Sequence, residues 1–355
     1  MKRQWSYAFC LVPTTLTVVG NVWGGYWAAA NVLFIVGLLG GLEWLASRIK
    51  TNEATAAALL PNLWLWMALP ACTMAIGSLL WGVYSGILTG GYMAWAVVST
   101  AFHTGAMGIV AAHEFIHRSQ KQEVNAGKYL LFLALNPYFF VDHLRVHHRY
   151  VGTSRDHATA RFGENFYAFL VRSIGGQLRE ALAIEAAAAQ KAGKAAYGWH
   201  NYVVRQWVYQ AVFLLVLFVL GGFWVVAAFF IQAWLANVLL EYTNYIEHYG
   251  ILRPDNSRVA YSTSWQCDTW MSRFLLYDLS RHADHHVHGA RPYHELRSFE
   301  QAPELPGGYA SLILPALLPP WWFKLIHPRL LAEQKRLDSS YLLTSSNSTS
   351  KTKVL

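Results

Sequence analysis

Charge is scarce in this sequence, cysteine nearly absent, and histidine missing altogether from the first hundred residues. Charged side chains make up 14% of the chain against a 54% hydrophobic share, well short of the roughly one quarter carried by soluble domains. So little charge excludes an ordinary water-soluble surface and points to a membrane protein. The three cysteines, Cys10, Cys72 and Cys267, lie far apart and form no CxxC. That excludes a disulfide framework, a zinc ribbon and a built-in iron–sulfur donor, so any redox chemistry needs electrons from outside. The net charge of +8 comes without a basic stretch interleaved with aromatics, so it is assigned to cytoplasmic loops and not to nucleic acid.

What is present is a set of apolar runs, each about long enough to cross a hydrocarbon core of about 20 helical residues. Six are read: 6–22, 26–47, 61–83, 90–112, 205–222 and 224–246. The tight links "GNVWGGY", "YSGILTGGY" and "LGGFW" carry no Lys or Arg, whereas Lys2, Arg3, Arg48, Lys50, Arg118, Lys121 and Lys128 flank the opposite ends. By the positive-inside rule both termini face the cytoplasm. No small-residue cleavage site follows the first run, which reads as a retained anchor. The expected fold is an all-α integral membrane protein, six transmembrane helices under a cytoplasmic cap. It forms one domain over 1–335, and the Ser/Thr-rich stretch 336–355 is a disordered tail. No internal repeat is evident.

The fifteen histidines are scattered over the sequence but gathered by this topology. His113 and His117 in "AAHEFIHR" stand four apart, on one face of a helix. The pair alone would suit a zinc protease, a reading that leaves the other histidines unused. An apolar stretch, "YLLFLALNPYFF", too short to span, follows as an interfacial or re-entrant segment. Next, "VDHLRVHHRY" offers His143, His147 and His148; on an α-helix two face one way and the third is turned by about 100°, which suits two neighbouring ions. "NVLLEYTNYIEHYG" adds His248 with Glu241 and Glu247, and "RHADHH" adds His282, His285 and His286. All nine fall on one side of the membrane.

Nine imidazoles exceed a tetrahedral zinc site, and without thiolates the set is not tuned to copper(I). Two ions of higher coordination number, iron above all, would use them. Carboxylates beside the boxes, Glu114, Asp142, Asp156, Glu247 and Asp284, are expected to orient the ligands' far ring nitrogens. His103 lies about 15 Å of helix from His113 and is read as a hydrogen-bonded core residue. Glu43 is read as snorkelling or pairing with a base, and His157, His200, His288, His294 and His327 as surface or supporting residues.

These motifs, "HEFIHR", "HLRVHH", "NYIEHYG" and "RHADHH", together with "RPYHELRSFEQAPELPGGYASLILPALLPPWWF", resemble the integral-membrane alkane monooxygenases of the membrane desaturase and hydroxylase superfamily. The resemblance covers nearly the whole chain. It implies a six-helix bundle in a bacterial-type inner membrane and a cytoplasmic diiron centre, two non-haem irons held by the nine histidines. The activity it implies is hydroxylation of an n-alkane's terminal methyl group with O2 and two electrons. "IEAAAAQKAGKAAYGWHNY" and "LLPPWW" are also similar to the xylene-type relatives, which leaves an alkyl-aromatic substrate open, as a fatty-acyl desaturase is. From another class, a membrane metal transporter would also gather histidines.

Carried onto this chain, Glu114, Glu247 and Asp284 are the candidate catalytic carboxylates. An unactivated methyl group is beyond acid–base chemistry and calls for a metal cofactor. The alkane would enter from the lipid, and Trp44, Trp64 and Trp66 either limit its depth or simply face lipid. The electron donor is expected to be a rubredoxin or ferredoxin, with its reductase, docking on Arg145, Arg149, Arg155, Arg161, Arg281 and Arg291.

Overall fold

The apolar runs become helices in the computed structural model, which describes residues 2–52 and 58–350. Short turns from Lys2 lead into α1 (Leu11–Trp23). Then come α2 (Gly25–Leu45), α3 (Leu59–Tyr84) and α4 (Gly90–Ile116). Helix α5 (Lys121–Leu133) turns back, α6 (Phe166–Lys191) crosses the cap, and α7 (Tyr202–Glu247) returns through the bundle. The short α8 (His282–Val287), then α9 (Tyr309–Leu317) and α10 (Pro319–Ser350), complete the chain. Among the described residues there is no strand, only two isolated bridges.

Four of these helices, α2, α3, α4 and α7, are long and apolar enough to cross a membrane. The 46 residues of α7 would reach about 69 Å if straight, more than twice the hydrocarbon thickness of about 30 Å. Helix α7 is not straight. Gly222, with φ 78° and ψ −174°, breaks it in a conformation that only glycine adopts at little cost. Phe213 and Phe229 lie on either side of that break, yet their ring centroids are 5.2 Å apart. The two arms therefore fold against each other as a hairpin, corresponding to the fifth and sixth apolar runs.

Aromatic side chains crowd the ends opposite the cap, where Trp23, Tyr26, Trp27, Tyr84, Phe223 and Trp224 are exposed, as at a membrane interface. At the other end Arg3 and Tyr7 both bind the buried carboxylate of Asp278, Arg3 at 2.9 Å. This fastens the first residues to the segment just before "RHADHH". The expected interfacial stretch, 129–140, is divided between the end of helix α5 and the turn at Tyr138–Asp142. Helix α5, already helical from Lys121, packs directly on α4, with Gly127 lying so close to Ala112, Phe115 and Ile116 that any β-carbon would collide. The tail expected from residue 336 begins inside α10, so no helix end marks that boundary. Residues 351–355 lie outside the described residues.

Glu43 neither snorkels nor pairs with a base among the described residues. It is buried, accepting hydrogen bonds from Ser272 Oγ at 2.5 Å, Thr269 Oγ1 at 3.2 Å and the Ser311 backbone N–H at 3.0 Å. Hydroxyls and a helix-start amide satisfy a buried carboxylate without a cation. His103 is in the core as expected, its Nε2 2.9 Å from Thr14 Oγ1.

Candidate metal centre

Every histidine of the four boxes arrives at one place, and there they sort into two groups. His113, His117, His143, His148 and His285 form one; His147, His248, His282 and His286 form the other. Within each group one nitrogen per ring lies within 4.8 Å of all the others. Two neighbouring ions were expected, but the division differs from the one that α-helical spacing suggests. Residues His143–His147 form a π-helical turn, whose wider i to i+5 pitch brings His143 and His148 to one group and sends His147 to the other. Helix α8 divides as well, His285 pointing one way and His282 and His286 the other.

The nitrogens meet in a manner that a hydrogen-bond network cannot explain. His143 Nε2 lies 2.9 Å from His117 Nε2 and 3.0 Å from His148 Nε2, which is itself 3.0 Å from His285 Nε2. In the second group His282 Nε2 is 3.1 Å from His248 Nε2 and 2.8 Å from His286 Nε2. A ring nitrogen has either one proton or one lone pair, so it cannot bond to two such neighbours at once. His113 is buried with neither nitrogen partnered, and His147 Nε2 is also without a partner. A cation about 2.1 Å from each imidazole nitrogen sets adjacent donors about 3.0 Å apart at right angles. The donor sets therefore fit one metal ion each.

Burial, with mutual repulsion among the imidazoles, keeps the following rings neutral. His143, His148, His285 and His286 are held well below the usual histidine range, first by burial and then by neighbouring rings. His117, which is part-exposed, is lowered to about 4 by the same causes. Their lone pairs are free for a metal at neutral pH.

Of the carboxylates, Asp156 has the supporting role most directly. His147 Nδ1 donates to Asp156 Oδ2 at 3.0 Å, which fixes the tautomer that leaves Nε2 open. Burial raises the Asp156 carboxyl, but His147, Thr159 Oγ1 and the Ala158 N–H outweigh it and hold it below the usual range. Glu247 lies beside the four-histidine group, Oε2 3.2 Å from His282 Nε2, with Tyr309 OH donating to Oε1.

Two expected roles go elsewhere. Glu114 accepts from Arg118 Nε at 2.8 Å and from the Tyr293 N–H at 3.2 Å. Asp284 binds Arg291, His288 and the Arg297 N–H. Each balances a cation of the cap and touches no box histidine, because the helix face opposite the ligands turns it towards arginine. Asp142, buried and near Asp156 and Glu241, has its pKa raised well above the usual value.

A largely apolar cavity lies below, walled by Ile35, Phe102, Ala106, Leu275 and Ile313 among others, with Glu43, Glu247 and Tyr309 among its polar lining. A smaller one reaches His113, His143 and His282 and shares Gly105, Val110, Thr243, Glu247 and Leu279 with the first. Apolar space thus leads to the histidines. Trp44, Trp64 and Trp66 do not line it; Trp64 instead donates to Gln4 O at 3.0 Å. Sequence spacing gave no sign of Tyr309, which is 62 residues from Glu247, though "PGGY" marks a close backbone approach.

The arginine patch is only partly a surface. Arg281 is fully buried, bound to Asp268 Oδ1 at 3.0 Å and to the Leu296 carbonyl, so it cannot meet a partner. Arg291 serves Asp284, and Arg145 pairs with Glu185 at 3.0 Å. Arg149, Arg155 and Arg161 are exposed, as is Arg145 beside its partner.

Comparison with known proteins gives the same direction. The fatty acid desaturase family model matches residues 89–316. Alkane 1-monooxygenase 1 of Pseudomonas aeruginosa is 34% identical, over 86% of this chain and 84% of its own length. Alkane 1-monooxygenase 2 of Alcanivorax borkumensis is 31% identical over 92% and 89%. The xylene/toluene monooxygenase hydroxylase component XylM of Pseudomonas putida is 25% identical over 90% and 87%.

Proposed function

Because this chain belongs to the fatty acid desaturase family, as an oxidoreductase of the alkane 1-monooxygenase kind, we propose that it hydroxylates the terminal methyl group of medium- to long-chain n-alkanes. The observation that carries the reading is an apolar cavity sharing its lining with a smaller one that reaches His113, His143 and His282, where two groups of histidine nitrogens converge. In balance, the alkane, O2, two electrons and two protons give a 1-alkanol and water.

Two irons, one per histidine group, supply the activation of O2 when bound. His113, His117, His143, His148 and His285 would hold one, and His147, His248, His282 and His286 the other. Asp156 orients His147, and Glu247 presents a carboxylate at the wall between cavity and metals. The cavity walls align the chain and exclude water, which sets which carbon lies nearest the metals.

The protein lies in a bacterial-type inner membrane with both termini cytoplasmic, six spans counting the two arms of α7 and the α1 segment. A rubredoxin or ferredoxin, reduced by its own reductase, delivers electrons at the cap near Arg149, Arg155 and Arg161. The similarity to XylM supports an alkyl-aromatic methyl group as the second reading. Membranes given octane, dodecane or a xylene, with a reconstituted donor and oxygen-18, separate the two. Labelled 1-alkanol is the expected product. Labelled benzylic alcohol alone would favour the second reading, and no labelled alcohol would contradict both.

A further inference from the structure

The cavity's polar lining is assembled from four segments distant in sequence. Tyr309 stands at its centre, with each of its polar groups engaged. Its backbone N–H donates to Ser272 Oγ at 2.9 Å, its carbonyl accepts from Tyr242 OH at 2.6 Å, and its own hydroxyl donates to Glu247 Oε1. Ser272 in turn donates to Glu43. Glu43 also accepts from the Ser311 N–H at the start of α9, so a carboxylate of span α2 holds the helix that begins with Tyr309. Glycine is needed for that approach: at Gly308 a β-carbon would run into the Glu43 carboxylate, and at Gly40 it would press on the Ala310 carbonyl.

Glu247 has two oxygens and two surroundings. One faces Tyr309; the other lies 3.2 Å from His282 Nε2. A buried carboxylate without a fixed donor turns about its last torsion, which has broad wells. A hydrogen bond from a locked phenol restricts that freedom. Glu43, Tyr242, Glu247, Ser272 and Tyr309 all line the cavity, so their hydrogen bonds to one another also hide polar atoms from an apolar occupant.

We propose that Tyr309 is a positioning residue for the oxidation, holding the Glu247 carboxylate between the cavity and the four-histidine group, with Glu43 as the anchor of Tyr309. The inference rests on the proposed role of Glu247. Tyr309 touches neither metal ligand nor reacting carbon; it acts through the carboxylate. Its loss loosens that group, and the two delivered electrons, with two protons, then reduce O2 to hydrogen peroxide without forming alcohol.

The test is the ratio of alcohol formed to donor electrons consumed, in purified full-length variants with metal content measured on the same samples. Tyr309→Phe keeps the ring and removes the donor. Expected are unchanged metal content, an alkane KM within about twofold, and a fall in the coupling ratio of roughly threefold to tenfold, the span of one hydrogen bond. In a double-mutant cycle, Tyr309→Phe adds nothing to Glu247→Gln. Full coupling in Tyr309→Phe, or additive losses in the double variant, would overturn the inference. If Glu247→Gln itself couples normally, the reading of Glu247 fails first. Should Tyr309→Phe lose its metal, Glu43→Gln carries the test: reduced coupling with metal retained supports the anchor, and normal coupling contradicts it.

Discussion

His147 and Asp156 face each other across a turn of the cap, Nδ1 to Oδ2 at 3.0 Å, both buried. The carboxylate fixes the ring so that Nε2 points into the four-histidine group. Replacing it by Asn keeps the shape but allows the amide to turn, and a supporting partner of this kind is worth about 10- to 100-fold in metal affinity or activity. Asp156→Asn is therefore expected to release one metal per chain to a chelator well before the other. Metal content after graded EDTA treatment checks this.

Cavity walls set the substrate's length. Ala106 lines the apolar cavity, and Phe at that position would fill space that a chain otherwise occupies. Each methylene excluded is worth about 0.8 kcal/mol, or roughly fourfold in preference. Ala106→Phe is expected to shift the activity profile across graded n-alkanes towards shorter ones, read by gas chromatography of the alkanols.

Much of this was legible from residue spacing, and the rest depended on contacts that spacing does not encode. The nine histidines that converge could be named because His113 and His117 share a helix face and because the topology brings four boxes to one side. The five-and-four division could not, since it follows from a π-helical turn at His143–His147. Two apolar runs around "LGGFW" indicated a hairpin, and Gly222 makes the turn between its two helical arms. Side chains whose partners are remote in sequence were misjudged. Glu43 finds its donors 226 or more residues away, and Asp284 is drawn to Arg291 rather than to a ligand.

Arg281 separates structure from docking. Its guanidinium is buried against Asp268, and removing one partner of a buried pair costs about 3–5 kcal/mol. Arg281→Ala is expected to lower the thermal midpoint sharply. Arg149→Glu, at an exposed position, is expected to leave that midpoint unchanged and raise the KM for the electron donor. Thermal melts and donor titrations on both variants distinguish the roles.

Acid acts on the stripped protein through the histidines. His117 is lowered to about 4 from the ordinary histidine value of 6.5, and its neighbours are lowered too. The folded chain then binds fewer protons than the unfolded one, so stability rises with pH between about 4 and 6.5 and is level above. In EDTA, the melting midpoint is expected to drop as pH falls from 7 to 5. Metal-loaded protein should melt higher throughout but lose at least as much on acidification, since protons compete with the bound ions for the same nitrogens. Scanning calorimetry in detergent at each pH reads both.

Counting metal per chain tests the central claim most directly, in the purified protein and in His285→Ala and His286→Ala. These neighbours serve different groups, so the account expects two irons in the parent and about one in each variant, with alkane hydroxylation lost from both. One exchangeable zinc in the parent, or two irons retained with activity in either variant, would contradict it.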